Sequence, residues 1–382
     1  MPSVESDRPD EHNQEFFLGI PGAFADLRVV APGSLPYFVE VKYGYPLEHL
    51  RESIARKYGR ESERNHGSRI ILIIEPADHP ESDWAETERA IRSALGNRLA
   101  LEIWDHARVA ALVLERFDVP LDRPISVAGL CDVREAIDRA KARFAFGPEC
   151  DNDRLEAALL WHFAFWRLRG LRERRGLDKR SILAPGVYRN VAVLMADLCS
   201  FSSYVRDTSD PRVAQMCLTG FYAASRHLVI NAGGMLYQFL GDAVLALFGV
   251  PGGDAGYVDA ALGCARALVE IGNSVSNKWQ RYIDRIQNAG GVHIGIAIGD
   301  LQIMSLRPFS RSNMGAIGDC INIAARLDTT AGPSEIVVSN TFYQRLGLPL
   351  RAGFEELGPV EAKNVGSIQA WKLSLPALAR LS

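Results

Sequence analysis

The chain has 382 residues, 47% of them hydrophobic and 23% charged, with a net charge of −3. That length favours two or three domains, and the composition is ordinary for a globular protein. The near-neutral balance gives no global push towards nucleic acid or an anionic membrane, and no apolar run reaches the length that spans a bilayer.

The opening MPSVESDRPDEHNQ is acidic and polar, unlike a signal peptide, and residues 1–13 read as a flexible tail. Cys131, Cys150, Cys199, Cys217, Cys264 and Cys320 are scattered without a C-x-x-C pair. That pattern fits reduced thiols in a cytoplasmic protein better than a disulfide framework or a zinc site. From 14 to 117 the pattern is mixed α/β. Strand-like AFADLRVV, YFVEVKYG, RIILIIE and LALEIW alternate with helix-like PLEHLRESIARKYG, DWAETERAIRSALG and DHARVAALVLERF. The last two open on an aspartate suited to capping. Residues 118–185 read as a helical linker, with DVREAIDRAKARF and one helix over 153–175 that ends in a run of arginines. The cluster WHFAFW within it suits core packing, and the helix is also a candidate for bringing two domains together. Pro185 and Gly186 then mark a boundary.

From 186 to 382 the expected order is β-α-β-β-α-β, a ferredoxin-like unit. Its strands are NVAVLMADL, MLYQFL, AVLALFG, VHIGIAIG and EIVVS, with a helix over 257–283 and GDCINIAARLDTTA as a loop entering a helix. Gly241-Asp242 between two apolar runs is a hairpin turn signal. Asp197 closes the first strand, which in such a unit lies beside the hairpin, so both carboxylates come within reach of the same cations. Paired carboxylates with open positions are the usual way to hold Mg²⁺ or Mn²⁺ against phosphates. The loop after Asp197 enters a helix whose first N–H groups suit a polyphosphate.

Three stretches, VAVLMADLCSFS, GGMLYQFLGDAVLALFG and IGDCINIAARLD, resemble in order the motifs of the class III nucleotidyl cyclases over about 190–373. The resemblance implies Asp197 and Asp242 as ligands of two divalent ions, Mn²⁺ or Mg²⁺, with the Leu198 carbonyl as a third. It implies Asn322 and Arg326 as the pair that orients the ribose and stabilises charge on the transferring phosphoryl group. It matches Lys363 to the triphosphate-binding lysine. The reaction implied is attack of the ribose 3′-oxygen on the α-phosphorus, in a homodimer whose active sites lie between two chains.

Adenylate cyclases of this family usually read adenine with a lysine and an aspartate at the positions of Gln238 and Gly315. Guanylate cyclases commonly place Glu and a small polar residue there. Phe201 stands where the family's Phe-Thr pair begins, and Tyr204 either narrows the pocket or belongs to the core. The missing purine-reading pair resembles the pyrimidine cyclases of antiphage defence. It implies UTP or CTP over ATP, and a cyclic UMP or cyclic CMP messenger that activates a downstream effector. An adenylate cyclase with atypical base recognition is the alternative.

In the N-terminal region Asp26, Glu40 and Lys42 look like the D…(D/E)-x-K core of restriction-endonuclease-like folds. A solvated strand of alternating charge explains the same letters. A metal-dependent nuclease acting here, or a sensor domain meeting nucleic acid, is therefore the second functional alternative.

Overall fold

A computed structural model describes residues 11–375 apart from 19–23, 31–34, 43–45, 60–66, 97–98, 123–125, 152, 253–254, 288, 308–309 and 363–365. The chain divides into two compact units, Met1–Cys150 and Asp151–Ser382.

In the first unit five strands form one sheet in chain order: β1 (Glu11–Phe17), β2 (Phe24–Val30), β3 (Tyr37–Val41), β4 (Arg69–Ile73) and β5 (Ala100–Trp104). β1, β2 and β3 run antiparallel, whereas β3, β4 and β5 are parallel. Parallel neighbours need crossovers, and α1 (Leu47–Tyr58) and α2 (Glu81–Leu95) supply them. Leu50, Ile54, Tyr58, Ile91 and Leu95 of these helices bury against Phe38, Ile70 and Leu72 of the sheet. The continuous apolar run of β4 reflects burial inside the sheet. α3 (His106–Phe117) and α4 (Val127–Phe146) complete the unit. Asp105 caps α3 as expected, its carboxylate accepting from the Arg108 N–H. Asp83 does not cap α2, which starts two residues earlier behind Pro80. The expected tail also ends sooner, since Glu11 opens β1 opposite Val30. A polar edge strand leaves little pattern because its ladder is made by backbone groups that every residue carries.

The expected linker is divided. α4 lies in the first unit, whereas α5 (Arg154–His162) and α6 (Phe165–Arg175) lie in the second. The single helix expected over 153–175 breaks at Phe163 and Ala164, which are extended and buried. The reason is tertiary. Arg226 donates to the carbonyl oxygens of Leu160 and Trp161 and lies 4.9 Å over the Trp161 ring, so the end of α5 is satisfied from outside.

The second unit continues with β6 (Gly186–Leu198), α7 (Phe201–Asp207), α8 (Pro211–Asn231), β7 (Met235–Leu240), β8 (Ala243–Phe248), α9 (Tyr257–Ile283), β9 (Val292–Arg307), β10 (Ser310–Ile317), α10 (Asp319–Asp328), β11 (Glu335–Ser339), α11 (Asn340–Tyr343), β12 (Phe354–Ala362) and β13 (Gly366–Ser374). Its sheet runs β12-β13-β11-β9-β6-β8-β7, with β10 paired to β9. The segment β9-β6-β8-β7 is the antiparallel core of a ferredoxin-like βαββαβ unit, as the strand and helix order predicts. β10, β12 and β13 are additions that the apolar pattern did not reveal.

Two glycines place the helices on opposite faces. A Cβ on Gly272 of α9 would come within 2.4 Å of the Val292 side chain. A Cβ on Gly295 of β9 would come within 2.1 Å of the Ala324 carbonyl oxygen in α10. Val292 and Gly295 differ by an odd number of residues along one strand, so α9 and α10 cover different sides. Among the described residues no helix is long and apolar enough to cross a membrane. All six cysteines are free thiols.

Candidate active site

β6 and β8 are direct neighbours, with Ala196 opposite Val244. Leu240 pairs with Ala243, so Gly241 and Asp242 form a two-residue turn, and Gly241 supplies the positive φ (63°) that such turns need. Asp197 at the end of β6 and Asp242 at the hairpin tip therefore meet at one corner of the sheet. The tip is held from α8, where the Tyr222 hydroxyl donates to the Gly241 carbonyl oxygen and the ring stacks 4.2 Å from Phe239.

Burial, a hydrogen bond with Asp197 and the repulsion of that carboxylate push the Asp242 carboxyl up to about 7. Two carboxylates facing one another in partial burial do not both ionise readily without a cation. Asp197 Oδ1 is buried and meets no hydrogen-bond donor among the described residues. An orphaned buried oxygen beside a second carboxylate fits a divalent cation, and the backbone path through Leu198 runs alongside. Asp242 stays protonated in the folded chain over a range where the unfolded chain has lost that proton. Stability without metal therefore falls as pH rises from about 4 to about 7 and levels off above. Thermal melting of the metal-free protein checks this, and Asp242→Asn is expected to remove that part of the slope.

After Asp197 the chain turns through Ser200, a non-glycine residue at φ 59°, into the seven-residue helix α7. The Ser200 carbonyl oxygen takes the N–H groups of Ser203 and Tyr204. Phe201 packs edge-on to Trp279 at 6.1 Å. Tyr204 does not face a pocket: it is 2% exposed and lies 5.1 Å from Trp279 in a core cluster with Cys217. The three-to-four-residue spacing of an amphipathic helix explains its place, and its bulk is used in packing α7 on α9. Replacing Tyr204 by Ala is expected to cost about 3–5 kcal/mol of stability, whereas Tyr204→Phe leaves base selection unchanged. Denaturant melts and product ratios measure the two effects.

Gln238 is exposed on β7, just after an irregularity in the β7–β8 register that re-aims the strand. Gly315 is buried on β10 opposite Met304. The Ala316 N–H donates to the Tyr237 hydroxyl at 2.8 Å, so the neighbours of Gln238 and Gly315 are bonded and the two positions share one locality. Asn322 and Arg326 are both exposed on α10, four residues apart on one face, while Cys320, Ala324, Leu327 and Asp328 are buried on the other. Arg326 Nε donates to the Glu361 carbonyl oxygen at 2.8 Å. Lys363 lies outside the described residues.

Two residues that the motifs did not single out join the centre. His293 stands opposite Asp197 in the β6–β9 register, and Asp328 ends α10 above it. Burial alone would lower His293, but the hydrogen bond and charge of Asp328 and the charges of Asp197 and Asp242 raise it above the usual histidine range. Burial likewise raises Asp328, against the lowering influence of His293. Pairing β6 with β9 in register from the Asp197 end would have pointed to His293.

In the first unit Asp26, Glu40 and Lys42 do converge on adjacent strands. Lys42 Nζ lies 3.0 Å from Asp26 Oδ2 and 2.7 Å from Glu40 Oε2. Glu40 is fully buried and also accepts from Lys57 Nζ at 2.8 and 3.0 Å and from the Tyr58 hydroxyl at 2.6 Å. Two ammonium groups therefore face two carboxylates. In the second unit another acidic group, Asp151, Asp153 and Glu156, is closed by Lys179 at 2.8–3.2 Å.

A ferredoxin-like sheet with two facing carboxylates at one corner and an exposed Asn–Arg helix defines an α/β domain suited to cations and polyphosphates. The sequence model of the adenylate and guanylate cyclase catalytic domain matches residues 183–374, and the chain belongs to that family. An adenylate cyclase of Mycobacterium tuberculosis is 26% identical over 237 residues, covering 62% of this chain and 49% of that protein. Adenylate cyclase 1 of Rhizobium meliloti is 27% identical over 158 residues, 41% of this chain and 23% of that protein. The chain thus spans about half or less of the length of these curated relatives. The crystal structure of the guanylyl cyclase Cya2 overlaps 52% of this chain and 98% of its own, at 20% identity and a TM-score of 0.44.

Proposed function

We propose that the chain is a nucleotide cyclase that converts a nucleoside triphosphate into a 3′,5′-cyclic nucleotide and pyrophosphate, acting as a homodimer. The observation that carries this reading is the facing of Asp197 and Asp242, with an orphaned buried oxygen and a carboxyl raised to about 7, within the segment that the family model matches. Divalent ions held there, Mn²⁺ or Mg²⁺, would lower the charge on the triphosphate and on the attacking oxygen. Asp197 and Asp242 would hold those ions against the phosphates, and Arg326 meets the charge that develops on the transferring phosphoryl group. Asn322 orients the ribose one turn earlier, and Leu198 and Lys363 keep the roles that the family motif gives them.

The homodimer draws support from α10 itself. Its buried face carries Asp328 towards Asp197, so the exposed face with Asn322 and Arg326 looks away from the chain's own carboxylates. A second copy is the natural recipient of that face.

For the base, Gln238 offers one carboxamide that both donates and accepts, and Gly315 offers no side chain. With Tyr204 withdrawn into the core, the pyrimidine reading, and with it a role in antiphage signalling, rests on these two positions alone. The names of the relatives favour the other reading, an adenylate cyclase whose usual lysine and aspartate are replaced. Incubation with ATP, GTP, CTP and UTP separately, with Mn²⁺ or Mg²⁺, and mass identification of products decides between them. Cyclic UMP or cyclic CMP as main product supports the first, cyclic AMP the second, and no cyclic product from any nucleotide overturns the cyclase reading.

The nuclease alternative draws on the convergence of Asp26, Glu40 and Lys42, but Lys57 and Tyr58 weigh against it. Among the described residues two ammonium groups face the two carboxylates, so these four groups leave no surplus negative charge to hold a dication. We therefore read this cluster as a buried ionic strut between β2, β3 and α1.

A further inference from the structure

The corner that holds Asp197 and Asp242 has a floor that the two aspartates do not explain. His293 lies directly opposite Asp197 in the antiparallel β6–β9 ladder, so both side chains leave the same face of the sheet. Two residues along β9, Gly295 has no side chain, and α10 uses that space. A Cβ at Gly295 would come within 2.3 Å of the Asp328 N–H nitrogen. The last turn of α10 therefore sits directly on the strand and lowers Asp328 beside His293. Asp328 is 3% exposed.

One ligand atom from each of Asp197, His293 and Asp328 lies within 4.8 Å of the others. Asp197 Oδ1, His293 Nδ1 and Asp328 Oδ1 are all buried, and Asp197 Oδ1 meets no hydrogen-bond donor among the described residues. His293 Nδ1 and Asp328 Oδ1 pair at 3.2 Å, which leaves Asp197 Oδ1 as the open position of the group. An unpartnered buried carboxylate oxygen beside a buried imidazole–carboxylate pair is costly unless a further group sits among them. Two carboxylates and an imidazole, once the imidazole has released its proton to solvent, supply three donors for a divalent cation and leave positions open for water and phosphate. Metal–ligand bonds of about 2.0–2.3 Å can span such separations with small adjustments.

We propose that His293 Nδ1 and the Asp328 carboxylate are ligands of the metal centre, joining Asp197 in a nitrogen-containing site that selects Mn²⁺ over Mg²⁺. The inference rests on the reading of Asp197 and Asp242 as the metal pair and deepens it. Mg²⁺ is a hard cation that keeps to oxygen ligands and water, whereas imidazole nitrogen suits the transition ions. The two-aspartate pattern alone carries no such preference. The site also explains why a histidine, and not an apolar residue, occupies a strand position that is four-fifths buried.

The test uses the full chain, Mn²⁺ and inorganic triphosphate, a probe that contains no nitrogen. Pulsed electron paramagnetic resonance of bound Mn²⁺ reads directly whether a ¹⁴N nucleus is coordinated. A ¹⁴N coupling is expected in the wild-type chain, replaced by the ¹⁵N pattern when the protein is labelled with ¹⁵N, and absent in His293→Asn. His293→Asn is also expected to weaken Mn²⁺ binding about 10- to 100-fold while changing Mg²⁺ binding less than about threefold. Bound Mn²⁺ without any nitrogen coupling in the wild type would overturn this proposal and leave the cyclase reading standing. Failure of Mn²⁺ to bind in the presence of triphosphate would overturn both. The wild-type spectrum decides even where a variant does not fold.

Discussion

Replacing Asp242 by Ala is expected to lower cyclic nucleotide formation by on the order of 10³-fold or more, with the fold intact. The size follows from what the residue does. A metal that polarises phosphoryl oxygens supplies several kcal/mol of transition-state stabilisation, and each 1.4 kcal/mol is about tenfold in rate. Fold retention follows from position. Asp242 sits on a two-residue turn whose geometry depends on Gly241, and the tip is held by Tyr222 on the Gly241 carbonyl oxygen. The substitution also removes a carboxyl raised to about 7 beside Asp197, so the metal-free chain should melt higher, not lower, at neutral pH. Steady-state product formation and a thermal melt on the same preparation check both statements. Loss of activity together with loss of folding would leave the metal role unsupported. A cyclase that retains activity without Asp242 would reject it.

Arg326→Ala is expected to cut turnover by on the order of 10²–10³-fold, because in the proposed mechanism it removes the cation that meets the developing phosphoryl charge. Its more decisive use is in a mixture. Arg326→Ala and Asp242→Ala chains are each inactive alone in this reading, but a mixed dimer contains one site with the carboxylates of the first and the arginine of the second. Random pairing of equal amounts makes half of the dimers mixed, each with one intact site in two, so about a quarter of wild-type activity should return. No recovery on mixing would mean that one chain supplies both halves of its site. That outcome would have to be reconciled with an α10 whose inner face carries Asp328 towards Asp197 while Arg326 is exposed on the outer face.

Much of the second unit was legible in the chain. Alternation and apolar runs mark strands that are covered by helices, and β6, β7, β8 and α9 carry that mark strongly. The Gly-Asp turn and the Asn–Arg spacing were visible because turns and helices impose their demands over four residues or fewer. The strands that went unseen, β1, β10, β12 and β13, lie at the edge of a sheet or extend it beyond the ferredoxin-like core, and their sequences carry no long apolar run. The break between α5 and α6 went unseen for a different reason. Nothing local stops the helix at Phe163, and the carbonyl groups that it leaves are satisfied by Arg226, which lies more than sixty residues away.

The candidate site divides in the same way. Asp197, Asp242, Asn322 and Arg326 could be named from the sequence because each sits in a short motif with its own local geometry. Tyr204 could not be placed, since an aromatic on an amphipathic helix faces core or pocket according to what the helix packs on, and here that is Trp279. His293 lies outside the three motifs, and Asp328 closes IGDCINIAARLD without a role in it. They belong to the centre because β6 pairs with β9 in one register and because Gly295 lets α10 descend onto the strand. The N-terminal unit makes the same point in reverse. Asp26, Glu40 and Lys42 spell a nuclease-like pattern, and only the packing of α1 brings Lys57 and Tyr58 onto Glu40. The sequence by itself determined the ferredoxin-like core, which periodicity sets, and pointed to the family and the candidate pairs through three short motifs whose residues are close along the chain. Tertiary structure alone decided which charges are left unpaired, because burial and partnership depend on residues brought together from distant parts of the chain.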